Sequence, residues 1–131
     1  MGYLLDTCAI FFIAGNTGDL SASTLRLIDE AAAGDVFVSA VSVAEIACLQ
    51  ERGRITLKQH WRVWWATLMR CTGWACLPLT EQVLAEAYSL PPPVHRDPAD
   101  RVLIATARLE GLTLVTTDGK IRSYPHVATL A

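Results

Sequence analysis

The chain has 131 residues and a mass of 14.3 kDa, the length of one ordinary domain, which excludes a multi-domain enzyme. With 52% hydrophobic and 18% charged residues it can bury a substantial core and is too apolar to be a disordered segment. A net charge of −2 excludes binding of nucleic acid by bulk positive potential alone. We therefore expect one globular domain over residues 1–131 that binds any polyanion through local groups.

Neither the cysteines nor the amino-terminal residues indicate export or membrane insertion. No pair of cysteines has C-x-x-C spacing, so we expect small buried side chains rather than a metal or redox site. The longest segment without a charged residue or histidine, residues 7–18, is shorter than the ~20 residues of a membrane helix. We expect a cytoplasmic protein without a membrane partner. The cysteines are Cys8, Cys48, Cys71 and Cys76.

Short apolar runs alternate with segments of helical periodicity, beginning in the first half of the chain. Ser42 and Glu45 have the spacing of a capping box, which predicts that a helix begins there. In chain order we predict a strand at residues 3–5, a helix at 9–14, a helix that ends at Gly34, a strand at 36–38, and a helix from Ser42 to about Gly53.

The second half repeats this alternation. Its first helix carries three tryptophans, which we expect mainly in the core, with part of that surface free to meet a partner. Apolar strands separated by helices predict a doubly wound α/β domain, with helices on both faces of a parallel sheet of four to five strands. In chain order we predict a helix from Thr56 to Gly73, a strand at 74–77, a helix from Thr80 to Leu90, a helix at 99–109, a strand at 112–116, and an edge strand at 127–130.

Two acidic residues directly follow predicted strands. Asp6 follows the first strand, and Asp118 follows the strand at residues 112–116. The carboxyl ends of parallel strands border the ligand crevice of an open sheet, so both residues are candidate site residues. Each also has a simpler interpretation, Asp6 as a helix cap and Asp118 as the first residue of a turn.

Two further acids, Glu45 and Asp100, lie in the predicted first turns of helices that open toward the same crevice. Capping and the helix dipole are their simpler interpretations. These interpretations do not explain why both acids stand among apolar residues. If the four carboxylates converge, each pair ~4 Å apart repels by ~4 kcal/mol at an effective dielectric of 20, so a cation must neutralise them. Oxygen-only ligands favour magnesium or manganese, which can activate water for phosphodiester hydrolysis.

Four segments resemble those of the PIN-domain nucleases, and most closely the VapC-type ribonuclease toxins. Residues 6–10 are similar to the family's opening strand end and its aspartate-threonine turn, and residues 42–46 are similar to the family's glutamate-bearing helix. Residues 95–101 are similar to its aspartate motif, and residues 114–118 to its final acidic strand end. Two positions depart from the family pattern, Ala99 where an aromatic residue is common and Cys8 where a polar one is frequent.

The resemblance implies a PIN-like three-layer α/β/α fold and a magnesium- or manganese-dependent endoribonuclease, the toxin of a type II toxin-antitoxin pair. It implies that the catalytic and metal-binding quartet is Asp6, Glu45, Asp100 and Asp118. It also implies three partners: an RNA substrate, a small antitoxin whose carboxy-terminal tail lies over the active site, and a second copy in a homodimer.

Several residues near the quartet are candidates for supporting roles. Thr7 and Thr116 can orient a metal ligand, although threonine at a strand end commonly bonds local backbone. Asp97 is expected to cap the helix that follows it, with an outer-sphere contact to the ion as the alternative. Arg96 and Arg101 are candidates for binding RNA phosphate, with ion pairing inside the protein as the alternative. Solvated or loop positions are expected for His60, His95 and His126.

Two other functions compete with the nuclease. A receiver-like phosphorylation module also uses strand-end acids and magnesium, but it usually has an acidic pair at the first strand end, where this chain has Asp6 followed by Thr7 and Cys8. A phosphatase with Asp6 as nucleophile would want a second acid at position 8. A PIN fold that binds RNA or a partner without cutting stays open.

Overall fold

Five short strands form one parallel sheet in the computed structural model, which describes residues 2–131. The spatial order is β3-β2-β1-β4-β5, with Leu4 of the central strand paired to Phe37 on one side and Leu114 on the other. The chain fills one half of the sheet first and then crosses to the other half, so the order reverses between β1 and β4. The strands are β1 (Tyr3–Leu5), β2 (Val36–Ser39), β3 (Ala75–Leu77), β4 (Thr113–Val115) and β5 (Thr129–Leu130).

Helices cover both faces of this sheet, as the apolar strands predicted. Alternate residues of each strand enter opposite cores: Leu4 packs with Leu103 and Ile104, whereas Leu5 packs with Ile10 and Ile28. The helices are α1 (Thr7–Gly15), α2 (Ala22–Glu30), α3 (Ala40–Glu51), α4 (Trp61–Thr72), α5 (Glu81–Ala87), α6 (Pro98–Glu110) and α7 (Gly119–Arg122), with a 3-10 turn at Ala33–Asp35.

The start of α3 differs from the prediction. The helix begins at Ala40, where the Ser39 hydroxyl accepts a hydrogen bond from the Val41 amide at 3.1 Å. The predicted capping box is therefore wrong, because Ser42 and Glu45 lie within the helix. Their side chains are free to make tertiary contacts instead.

Other helix boundaries also moved. The helix α4 begins at Trp61, not at Thr56, and the Gln50 side chain accepts a hydrogen bond from the Trp61 amide at 2.8 Å. The helix α2 ends at Glu30, before the predicted Gly34, because the chain turns through the 3-10 segment.

The tryptophan-rich helix packs against the core, although its tryptophans are only half-buried. Trp64 and Trp65 pack against the core on the α1 side of the sheet, and the Trp64 ring lies 5.4 Å from that of Phe11. The prediction of buried cysteines is wrong, since all four are exposed free thiols. Within residues 2–131, no helix combines the length and the apolar character needed to cross a membrane.

Candidate active site

Asp6 stands where β1 ends and α1 begins. Its Oδ1 accepts a hydrogen bond from the Ala9 amide at 2.7 Å, so the residue is the N-cap of α1, and its side chain is buried. The interpretation of Asp6 as a helix cap is therefore right. Capping does not exclude a site role, because the buried carboxylate also lines the crevice. Desolvation raises the pKa of Asp6, while the Thr116 hydroxyl and the Ala9 amide lower it and the charge of Asp118 raises it further.

Asp118 follows β4 at a distance of three residues from its last residue, Val115. Its Oδ1 accepts hydrogen bonds from the amides of Lys120 at 2.8 Å and Ile121 at 3.2 Å, which caps the short helix α7. The fully buried Thr116 hydroxyl accepts a hydrogen bond from the Asp118 amide at 3.1 Å, and the same hydroxyl lowers the pKa of Asp6. Thr116 therefore lies beside both strand-end acids, and its supporting role stays a prediction.

Glu45 reaches the same crevice from α3. The Thr7 hydroxyl donates to Glu45 Oε1 at 2.5 Å and lies 2.9 Å from the Ser42 hydroxyl. Since Thr7 has one proton and gives it to the carboxylate, Ser42 is the donor in the second contact. The chain of hydrogen bonds from Ser42 to Thr7 and from Thr7 to Glu45 fixes the orientation of the Glu45 carboxylate. Burial raises the pKa of Glu45, and the bond from Thr7 partly opposes this.

Asp100 lies in the first turn of α6, whose N-cap is Asp97. The Asp97 Oδ1 accepts from the Asp100 amide at 3.0 Å, so the predicted cap is present. Burial raises the pKa of Asp100 to about 7, with further contributions from the negative charges of Asp97, Asp118, Glu45 and Asp6.

The four acids line one small cavity of about 190 Å³ at the carboxyl ends of β1 and β4. Within residues 2–131, no lysine or arginine nitrogen lies within 4.0 Å of these carboxylates. A larger cavity of about 610 Å³ beside α2 has Asp29 as its one acidic residue, so its size does not make it the better site. The acidic cavity is lined by Asp6, Thr7, Cys8, Glu45, Asp100, Leu103, Thr117 and Asp118.

The two arginines of the aspartate motif differ in their surroundings. Arg96 is exposed, whereas the Arg101 guanidinium is engaged inside the protein. Arg101 Nε donates to the His95 carbonyl at 2.8 Å, and its Cζ lies 5.0 Å from the ring centroid of Tyr88. These contacts give Arg101 a role in holding the loop before α6, which the sequence analysis did not predict.

His95 lies on the loop before α6, which is one of the two kinds of position predicted for it. It is not a solvated residue: its side chain is 14% exposed, and its Nε2 lies 3.4 Å from Asp100 Oδ2. Ser42 was also missed as a site residue, because its serine-glutamate spacing was assigned to helix capping. The signal that could have identified it is the nearby Ser39, a competing N-cap.

Comparison with known proteins identifies the fold family. A family model described as PIN domain matches residues 3–127. The chain belongs to the PIN-domain family. This PIN domain is 34% identical over 126 residues to Ribonuclease VapC22 of Mycobacterium tuberculosis, in a match that covers 94% of the chain and 92% of that relative. The family match excludes the receiver-like alternative and confirms the predicted three-layer α/β/α fold.

Solved structures share the architecture of this PIN domain. FitAcB from Neisseria gonorrhoeae superposes with a TM-score of 0.70 at 21% identity, over 98% of this chain and 96% of that chain. VapBC2 from Rickettsia felis, bound to a DNA fragment from its promoter, superposes with a TM-score of 0.69 at 16% identity, over 98% and 97% of the two chains. At these identities the likeness concerns the fold.

Proposed function

We propose that this PIN domain is a magnesium- or manganese-dependent endoribonuclease that acts as the toxin of a toxin-antitoxin pair. The observation that carries the proposal is the convergence of four carboxylates in one cavity, where no lysine or arginine nitrogen of residues 2–131 lies within 4.0 Å of them. A named ribonuclease of the same family, 34% identical over most of its length, supports the reaction class.

The donor set fits a hard divalent cation. Asp6, Glu45, Asp100 and Asp118 offer oxygen atoms, and burial, followed by the charges of neighbouring acids, raises the pKa of Asp6, Glu45 and Asp100. When bound, such an ion would activate a water molecule and stabilise the charge that builds on the phosphoryl group.

The protein groups around the cavity orient the acids before any ligand arrives. Asp6 and Asp118 each use one oxygen for a helix cap, which restrains the carboxylate and would leave the other oxygen available to the ion. Thr7 performs the same role for Glu45. Preorganised oxygens need no rearrangement on binding, and this favours a defined coordination geometry.

Substrate and partners follow from the surroundings of the cavity. We assign phosphate binding to Arg96, because it is exposed beside Asp97 and Asp100 whereas Arg101 is engaged in the protein. Structural neighbours that are toxin-antitoxin complexes support an antitoxin partner. An apolar groove of about 590 Å³ between α3 and α6 adjoins the cavity at Glu45, and we propose that the antitoxin tail lies there. The homodimer stays a prediction.

The test is cleavage of single-stranded RNA by purified Asp6→Asn and Asp100→Asn variants with manganese. Asparagine keeps the cap at Asp6 and the size of both side chains, so the fold should persist while the rate falls at least about a hundredfold, or about 3 kcal/mol. The control is Asp29→Asn, an exposed acid on α2 outside the cavity. Undiminished cleavage by both site variants would refute the proposal. RNA binding without any cleavage by the native chain would favour the non-cleaving PIN module.

A further inference from the structure

His95 lies on the loop before α6 and faces two acids of the cavity. One ligand atom each from His95, Asp100 and Asp118 lie within 4.8 Å of one another. By distance alone, this trio could hold a metal ion through the histidine, which would make the site attractive to zinc. The hydrogen bonds of the imidazole decide against that arrangement.

The ring of His95 is fixed in one tautomer by its own loop. Its Nδ1 accepts a hydrogen bond from the Asp97 amide at 3.0 Å. In a neutral imidazole one nitrogen accepts and the other carries the proton, so the proton is on Nε2. Nε2 is the atom that lies 3.4 Å from Asp100 Oδ2. A metal ion bound to Nε2 would need the lone pair of that nitrogen, so the ring proton would have to be on Nδ1. The Nδ1 proton would then face the proton of the Asp97 amide.

The loop backbone is held as firmly as the ring. The Arg101 side chain bonds the His95 carbonyl through Nε at 2.8 Å and the Ala87 carbonyl, at the end of α5, through Nη1 at 3.4 Å. Stacking of the guanidinium on Tyr88 adds a contact to the same region. His95 is thus positioned from α5 and α6 together, independently of any ligand.

We propose that His95 is a positioning residue whose Nε2–H donates to Asp100 Oδ2 and directs the other oxygen of that carboxylate to the divalent ion. The inference rests on the proposed function for the presence of the ion. The separation of 3.4 Å exceeds the usual hydrogen-bond range, and a bound ion that orders Asp100 would shorten it, as is common for site contacts. The ion is then bound by oxygen alone, and the acidic cavity prefers magnesium or manganese to zinc.

The first test reads the tautomer directly. Nitrogen-15 NMR of the full chain in EDTA, with the His95 resonances assigned by their loss in His95→Gln, should show the proton on Nε2, and titration with magnesium should leave it there. A proton on Nδ1, or loss of the Nε2 proton when magnesium or zinc is added, would overturn the inference. Because the measurement in EDTA needs no ion, it stands even if the proposed function fails.

The second test separates donor from ligand with two amide variants. In His95→Gln the side-chain amide can place an N–H near the position of Nε2, whereas in His95→Asn the amide reaches only the position of Nδ1. We expect manganese affinity, measured by calorimetry, to stay within about threefold in His95→Gln and to fall about tenfold or more in His95→Asn. The control is His126→Gln, an exposed histidine.

The outcomes of this second test are distinct. Equal loss in both amide variants, with zinc affinity falling most, would identify a metal ligand and overturn the inference. Unchanged affinity in both would also overturn it while leaving the proposed function intact. Absence of manganese binding by the native chain would defeat the proposed function, and the tautomer would still decide the role of His95. Circular dichroism melts confirm that each variant is folded.

Discussion

Removal of the Asp100 charge should stabilise the metal-free protein. Asp100→Asn keeps the shape of the side chain and removes a charge that burial and four neighbouring acids oppose. The folded chain holds the Asp100 proton up to about pH 7, whereas the unfolded chain releases it near pH 3.8. Between these pH values the folded state binds more protons than the unfolded state, so the free energy of unfolding of the unsubstituted chain falls as the pH rises. Asp100→Asn does not show this fall, because its side chain does not titrate.

The size of the effect follows from the pKa. A rise from 3.8 to about 7 corresponds to about 4 kcal/mol at 1.36 kcal/mol per pKa unit. Screening by water at the open cavity and the loss of a favourable helix-dipole contact reduce this to about 1–2 kcal/mol at pH 8. For a domain of this length, that gain raises Tm by roughly 3–8 °C.

Urea unfolding in EDTA at pH 8 and pH 4.5 measures this effect. The gain of Asp100→Asn over the native chain should be largest at pH 8 and much smaller at pH 4.5, and Asp29→Asn should show neither behaviour. With manganese at a hundred times its Kd the order reverses, because the native chain gains about 2.7 kcal/mol from binding and the variant gains less. A variant that is less stable than the native chain at pH 8 in EDTA would refute the electrostatic reasoning.

Substitutions at two further positions separate orientation from capping. Thr7→Val removes the donor to Glu45 and should lower the cleavage rate about ten- to a hundredfold and the free energy of unfolding by about 1–2 kcal/mol, while Thr7→Ser stays near native in both assays. Native-like cleavage by Thr7→Val would contradict the orienting role. Asp118→Ala and Asp118→Asn should both weaken manganese binding in calorimetry, but Asp118→Ala alone should lose about 1 kcal/mol in urea unfolding, because asparagine still caps α7. Equal stabilities would show that the cap contributes nothing.

The strand-end acids were predictable because they follow from local patterns. Three apolar residues before Asp6 and a similar run before Asp118 indicate buried parallel strands, and the topology brings such strand ends together. Glu45 and Asp100 were candidates because they lie near the starts of predicted helices that open toward the same crevice, and the family motifs include both. The fold and the composition of the quartet were therefore accessible without coordinates.

The contacts around the quartet were not accessible, because they depend on tertiary placement. Ser39 and Ser42 both lie near the start of α3, and either could cap it. Only the tertiary contact with Thr7 shows that Ser42 is the serine within the helix that faces the site. His95 stands in a loop without periodicity, and its carbonyl accepts a hydrogen bond from Arg101, which also bonds the Ala87 carbonyl on another helix. The spacing of residues in the sequence predicts neither the tertiary contact of Ser42 nor the orientation of His95.

The helix caps at Asp6 and Asp118 also bear on which ions the cavity can discriminate. Because each cap holds one carboxylate oxygen on a helix amide, widening the gap between Asp6 and Asp118 breaks a cap hydrogen bond. Calcium needs longer metal–oxygen distances, about 2.3–2.6 Å against about 2.0–2.1 Å for magnesium, and a larger shell. A gap of constant width therefore selects by ionic radius, so calcium should occupy this protein poorly despite its matching charge.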